Sequence, residues 1–160
     1  MDPVAAQKLR RQAQGLLNRL GDGNIDTIVS EYEALYRTHA RAHVTATVTQ
    51  LILDTITSRS NLIDTFVILH AALVAALHKV VGVEFAAYFI QRLVEDLTRH
   101  YDELKRSPDK PQAAGGEEDV QGKECLNLSV LACELYNLHV VACPLVYDLI
   151  RMFLGERPEG

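Results

Sequence analysis

Apolar residues recur three and four positions apart along most of this chain. Leu9, Leu16, Leu17 and Leu20 keep that spacing and predict a first helix, stopped by Gly21-Asp22-Gly23. Asn24 or Gly23 is placed to cap a second, whose stripe is Ile25, Ile28, Val29, Tyr32, Leu35 and Tyr36. After a short basic turn a third helix buries Val44, Val48, Leu51, Ile52 and Ile56. Residues 45–57 are rich in strand-favouring Thr, Val and Ile, but their apolar positions fit a period of 3.6 better than 2. Ser58 to Asn61 form a turn and N-cap cluster, and a fourth helix runs from Leu62 to about Val81, apolar nearly all round and hence buried on several sides. Gly82 breaks it. A fifth helix follows with Phe85, Tyr88, Phe89, Leu93, Val94, Leu97, Tyr101 and Leu104.

From 106 to 123 the stripe stops. Pro108, Pro111, Gly115, Gly116, Gly122 and the acidic run Glu117-Glu118-Asp119 predict a flexible, solvated internal linker. A sixth helix resumes with Cys125, Leu128, Leu131, Leu135 and Tyr136. A tight turn over residues 137–141 precedes a seventh, which Pro144 starts and Gly155 ends. The expected architecture is all-α. Pairs two–three, four–five and six–seven are antiparallel hairpins of about 40 residues, the period of a stacked α-solenoid. Residues 1–160 then form a single helical-repeat domain with no polar capping helix after the third pair, so either the domain is cut short or its last face meets a partner.

With 160 residues and 48% apolar side chains the chain is neither wholly disordered nor fibrous. Its formal charge of −5 argues against a strongly cationic nucleic-acid binder. Acidity concentrates late: residues 1–105 carry 11 basic and 12 acidic side chains, residues 106–160 five and nine. Three cysteines without a CxxC pair make no disulfide framework and fit a reducing, intracellular compartment. The N-terminus lacks the pattern of a signal peptide. The most apolar window, Phe66 to Phe89, is interrupted by His70, His78, Lys79 and Glu84 and reads as a buried helix, not a membrane span.

No P-loop, GxSxG, HExxH or glycine-rich fingerprint is present, so the expectation is no enzyme, no cofactor and no small-molecule substrate. His139 and Cys143 stand four apart, with Cys133 and Cys125 upstream, but Pro144 and the preceding turn break any shared helix. Flanked by Ala, Leu and Val, Cys133 and Cys143 read as small core thiols rather than zinc ligands. His70 and His78 read as buried, hydrogen-bonded histidines. Arg99, His100, Lys105 and Arg106 complement the C-terminus of the fifth helix. Lys79 to Phe85 superficially matches a short phosphatase-docking motif, but Phe85 belongs to a core stripe. The best basic cluster is Arg37, His39, Arg41 and His43, with Arg10 and Arg11 as further candidates. Such side chains suit phosphate or an acidic partner surface, although an ordinary solvated turn has the same composition.

Gly15 to Leu20, Asn24-Ile25 and Glu33 to Arg37 resemble the first repeats of the middle domain of initiation factor 4G, in the version carried by nucleolar ribosome-biogenesis proteins. Leu51 to Asp54, His70 to His78, Val81 to Glu84, Gly122 to Leu128, Leu135 to Leu138 and Val146 to Ile150 continue the likeness in order. The resemblance implies a HEAT-repeat solenoid that binds and modulates a DEAD-box RNA helicase of the initiation-factor-4A type. It also implies a role in small-subunit RNA maturation, in the nucleolus or nucleus, with a pre-ribosomal particle or RNA as a further partner and no membrane. Direct RNA binding, or general protein interaction, is the alternative. The resemblance also implies about five repeats of about 40 residues in a complete domain, where about three pairs are read here. Repeat turns are where such solenoids present side chains, so the expected partner-binding residues are Arg37, His39, Arg41 and His43 in one turn and Asn137 and His139 in another.

Overall fold

Each predicted stripe closes into a helix in the computed structural model, which describes residues 3–59, 64–106 and 122–155. The helices are α1 Pro3–Asn18, α2 Ile25–Thr38, α3 Arg41–Thr57, α4 Asp64–Val81, α5 Val83–Arg106, α6 Lys123–Asn137 and α7 Cys143–Phe153, and no strand occurs among the described residues. Arg106 closes α5 and Lys123 opens α6. The predicted linker between them lies, but for these ends and Gly122, outside the described residues.

Helices pack on the helix two places along and, except between α3 and α4, on their neighbour in sequence, and α3 also packs on α6. α1 meets α3, α3 meets α5, α2 meets α4, and α4 meets α6. Tyr101 on α5 reaches α7, its hydroxyl donating to the Met152 carbonyl at 2.8 Å with Phe153 edge-on to its ring. Even-numbered helices therefore form one layer and odd-numbered helices the other, the arrangement of a solenoid built from helix pairs. The pairs α2–α3, α4–α5 and α6–α7 also touch, as the hairpin reading requires.

The core lies between the layers. Leu9, Ala13, Leu16 and Leu17 of α1 meet Ile28, Tyr32 and Leu35 of α2 in one continuous apolar cluster with Leu51, Ile52, Leu73, Leu77, Phe89 and Leu128. Each such side chain contributes about 1.5–3 kcal/mol relative to exposure. The Tyr32 hydroxyl is buried and donates to the Ala13 carbonyl at 2.9 Å, tying α2 to α1. Burial pushes its pKa up, with the nearby Tyr36 adding to the rise. Asn127 ties α6 to α3 by donating to the Ile56 and Arg59 carbonyls, both at 3.0 Å. α4 is the one described helix long and apolar enough to cross a membrane, by length and composition only. Here it packs against α2, α5 and α6, with Val67, Ala71, Leu73, Val74 and Leu77 in the core.

Two connections depart from their expected chemistry. Asn24 stands at the N-cap of α2 without a side-chain capping bond. Its amide instead donates to the Arg19 carbonyl at 2.7 Å and its oxygen accepts from the Gly21 backbone at 2.8 Å, so it closes the preceding loop. The basic turn is shorter than its composition predicts. Only His39 and Ala40 lie outside helix, because exposed Arg and His extend α2 and α3 on their solvated faces without breaking them. Between α4 and α5 the whole connection is Gly82, whose φ of +117° bulkier residues rarely adopt.

Candidate interaction surface

The two predicted partner-binding turns reach the same edge of the stack. Asn127, early in α6, bonds to carbonyls at the end of α3, so α6 runs antiparallel to α3 and carries Asn137 toward Arg41. The α4–α5 connection belongs to this edge too. The Arg41 guanidinium donates to the Val81 carbonyl at 2.7 Å. Since α4 packs between α2 and α6, the α4–α5 turn separates the two predicted patches.

Arg37 is exposed in the last turn of α2 and pairs with Glu33 one turn before it. His39 is the C-cap of α2, its extended backbone donating to the Leu35 carbonyl at 2.9 Å. Arg41, in the first turn of α3, also lies over the Tyr36 ring, 5.7 Å from guanidinium carbon to ring centroid. Beneath it the Tyr36 and Thr45 hydroxyls share a hydrogen bond of 3.0 Å, and burial pushes the Tyr36 phenol up. His43 is exposed. On the other patch Asn137 is the exposed last residue of α6, its amide donating to Glu134 at 3.3 Å. His139 has a φ of 60°, the one non-glycine with positive φ among the described residues. There it closes a Schellman cap: its N–H donates to the Tyr136 carbonyl at 3.0 Å, and the Val140 N–H donates to Leu135 at 2.9 Å.

Residue-by-residue reading missed the apolar members of this edge. Val80 and Val83, on either side of Gly82, are 47% and 71% exposed, and Leu138 on the neighbouring turn is 38% exposed. A run of valines astride a helix-breaking glycine was the available signal. Apolar side chains set among Arg, His and Asn resemble the rim-and-core composition of protein interfaces.

Other expectations come out differently. Cys125 is buried, but Cys133 and Cys143 are exposed, contrary to the core-thiol reading. Sequence neighbours lie about 100° apart around a helix, so apolar flanks do not reveal which face a residue takes. Cys143 meets the Tyr136 hydroxyl at 3.2 Å, and that contact holds the Tyr136 phenol above its ordinary range. Among the described residues no three His, Cys, Asp or Glu side chains converge to hold a metal. His70 is buried and bonded to the Phe66 carbonyl at 2.7 Å, while His78 is only partly buried. Arg99 and His100 pair with Glu103, and Arg99 with Asp96, along α5 itself, while Lys105 lies over Tyr101, its ammonium 4.4 Å from the ring centroid. Val83 to Phe85 begin α5, and Phe85 is buried, which removes the extended conformation a phosphatase-docking motif needs.

Layered helix pairs with an edge of turn-borne side chains define the class of helical-repeat, HEAT-like domains. The chain belongs to the MIF4G domain family, whose model matches residues 10–159. It is 42% identical over 154 residues to Suppressor of glycerol defect protein 1 of Schizosaccharomyces pombe, covering 96% of this chain and 19% of that protein. The protein of the same name in Saccharomyces cerevisiae is 34% identical over 95% of the chain and 16% of its own length. Nucleolar MIF4G domain-containing protein 1 of Homo sapiens is 32% identical over 96% of the chain and 16% of its own length. The chain thus spans less than a fifth of each of these relatives. No solved structure matches.

Proposed function

We propose that this chain is a non-catalytic docking platform that binds a DEAD-box RNA helicase of the initiation-factor-4A type and modulates it during small-subunit RNA maturation in the nucleolus. Membership of the MIF4G family and relatives named for the nucleolus support the setting. The observation that carries the reading is the common edge of the α2–α3, α4–α5 and α6–α7 turns, where Arg37, His39, His43, Asn137 and His139 surround exposed Val80, Val83 and Leu138. A stiff stack presenting such an edge shifts a helicase between open and closed forms if its contacts differ between the two. No bond-making group is needed on the platform.

Direct RNA contact through the 37–43 turn is the weaker reading. Arg37 is paired with Glu33, and Arg41 is held by the Val81 carbonyl and the Tyr36 ring. Capture of purified 4A-type helicases on the immobilised chain tests the proposal, together with helicase ATPase rates with and without it. Binding with a changed ATPase rate is the expected result. Failure to capture any such helicase, with the chain folded, overturns it.

A further inference from the structure

The even-numbered layer keeps an apolar outer surface away from that edge. α4 is apolar along nearly its whole length, yet only a third of its residues are buried. Val67, His70, Ala71, Val74 and Leu77 are buried, and the opposite face carries Asp64, Ile68, Ala72, Ala75 and Lys79 at spacings of three and four. Ile68 is 45% exposed, and Asp64 and Lys79 are exposed at either end of it. On α6 the outward stripe is Leu126, Val130 and Cys133, with Leu126 62% exposed and Cys133 exposed as well. Arg59 sets the two stripes side by side. Its guanidinium carbon lies 4.3 Å from the Phe66 ring centroid, and its carbonyl accepts from Asn127 at 3.0 Å. Ile68 and Leu126 therefore stand at about the same level of adjoining, parallel helices.

Charge meets this surface only at its ends. No Asp, Glu, Lys or Arg occurs from 65 to 78 or from 125 to 133, whereas Asp64 opens α4 and Lys79 lies in its last turn. Neither has an ion-pair partner among the described residues. The pattern is complementary to its own reverse. Laid antiparallel on a second copy about a two-fold axis near Ala72, α4 brings Asp64 to the partner's Lys79, Lys79 to the partner's Asp64, and Ile68 over the partner's Ala75. A large side chain then meets a small one, and each charge meets its opposite. The same axis lays the Leu126–Cys133 stripe on its own copy, apolar on apolar. The uncharged stretch of α4 is about 22 Å long at about 1.5 Å per residue, and three helices about 8–10 Å apart make the layer about 25 Å wide. A contact of that size buries roughly 1,100 Å² in all, at the lower end for specific interfaces.

We propose that this chain self-associates as a two-fold dimer through the outer face of α4 and α6, with α4 antiparallel to the partner's α4. An unrelated apolar partner would account for the stripe but not for opposite charges placed evenly about its middle. The proposal does not rest on the helicase reading, and either stands if the other fails.

Sedimentation equilibrium of the whole chain between about 1 and 200 μM tests it, and the expected result is a monomer–dimer equilibrium with a Kd of roughly 1–100 μM. Ile68→Asp, at an exposed position, leaves the fold intact by its melting curve and weakens dimerisation at least about 30-fold. Lys79→Glu alone and Asp64→Lys alone each weaken it about fivefold, because each sets like charges together at both ends of the contact. Asp64→Lys combined with Lys79→Glu restores the parent affinity, which a merely structural effect of either change does not do. The proposal is overturned by a chain still monomeric at about 200 μM, by an unchanged Kd in folded Ile68→Asp, or by a double exchange that fails to recover what the single ones lose. A dimer that Tyr147→Asp abolishes and Ile68→Asp leaves intact also overturns it, because the contact then lies on α7.

Discussion

The Arg41 guanidinium donates to the Val81 carbonyl at 2.7 Å, joining two turns that lie 40 residues apart in the chain. Val81 ends α4, where carbonyls lack helical partners, so a cation there satisfies an acceptor and complements the helix dipole. Arg41→Ala should lower stability by about 0.5–1 kcal/mol in urea denaturation. Arg37 has only the exposed pair with Glu33, so Arg37→Glu should cost no more than about 0.5 kcal/mol while weakening helicase capture. Unaltered capture by Arg37→Glu would remove Arg37 from the docking edge.

His139 occupies a left-handed position that glycine takes more readily. His139→Gly should stabilise the chain by about 1 kcal/mol. If the imidazole contacts the helicase, the same variant binds less tightly while melting at a higher temperature. A variant that is less stable than the parent would show that the side chain is needed for the turn.

Asn127 is 4% exposed and is the donor for two α3-end carbonyls. Asn127→Leu leaves both acceptors without that partner and should cost about 2–3 kcal/mol. A loss below about 0.5 kcal/mol would mean that the α3–α6 contact is held by apolar packing alone.

Thr49 is buried, and its hydroxyl is the one buried side-chain oxygen or nitrogen without a hydrogen bond among the described residues. Thr49→Val replaces that hydroxyl with a methyl of similar shape and should stabilise the chain by about 1 kcal/mol. Destabilisation in the melt would show that the hydroxyl has a partner in solution.

His70 is held below its ordinary pKa by burial, opposed by its bond to the Phe66 carbonyl and assisted by the Arg59 charge. The carbonyl only accepts, so Nδ1 carries the proton and donates. Between the folded pKa and the ordinary value of 6.5 the unfolded chain binds a proton that the folded chain refuses. Stability should therefore fall as pH drops below about 6.5, and level off below the folded value. Urea midpoints across this range should show the slope in the parent chain and a flatter profile in His70→Leu. Equal slopes would reject His70 as the source.

The helical phase of this protein was legible because burial repeats with the period of the backbone. Leu9, Ala13, Leu16 and Leu17, or Phe85, Phe89, Leu93 and Leu97, each mark one face whichever partner covers it. Gly82 marked a break for a similarly local reason, the backbone conformation it allows. The candidate site was legible only as two stretches of polar residues. α7 shows where this kind of reading stops: Tyr147, Ile150 and Phe153 keep a helical stripe, yet they are 61%, 48% and 40% exposed and only Leu149 is buried.

Composition and periodicity alone thus determined an all-α chain of paired helices and the position of most breaks, since these depend on interactions a few residues long. Only tertiary structure decided that Arg41 binds an α4 carbonyl, that Cys133 and Cys143 face solvent, and that three separate turns share one edge. Those outcomes depend on contacts between residues far apart in the chain, and the angle at which one helix meets the next is set by packing over the whole interface, which no short window of sequence contains.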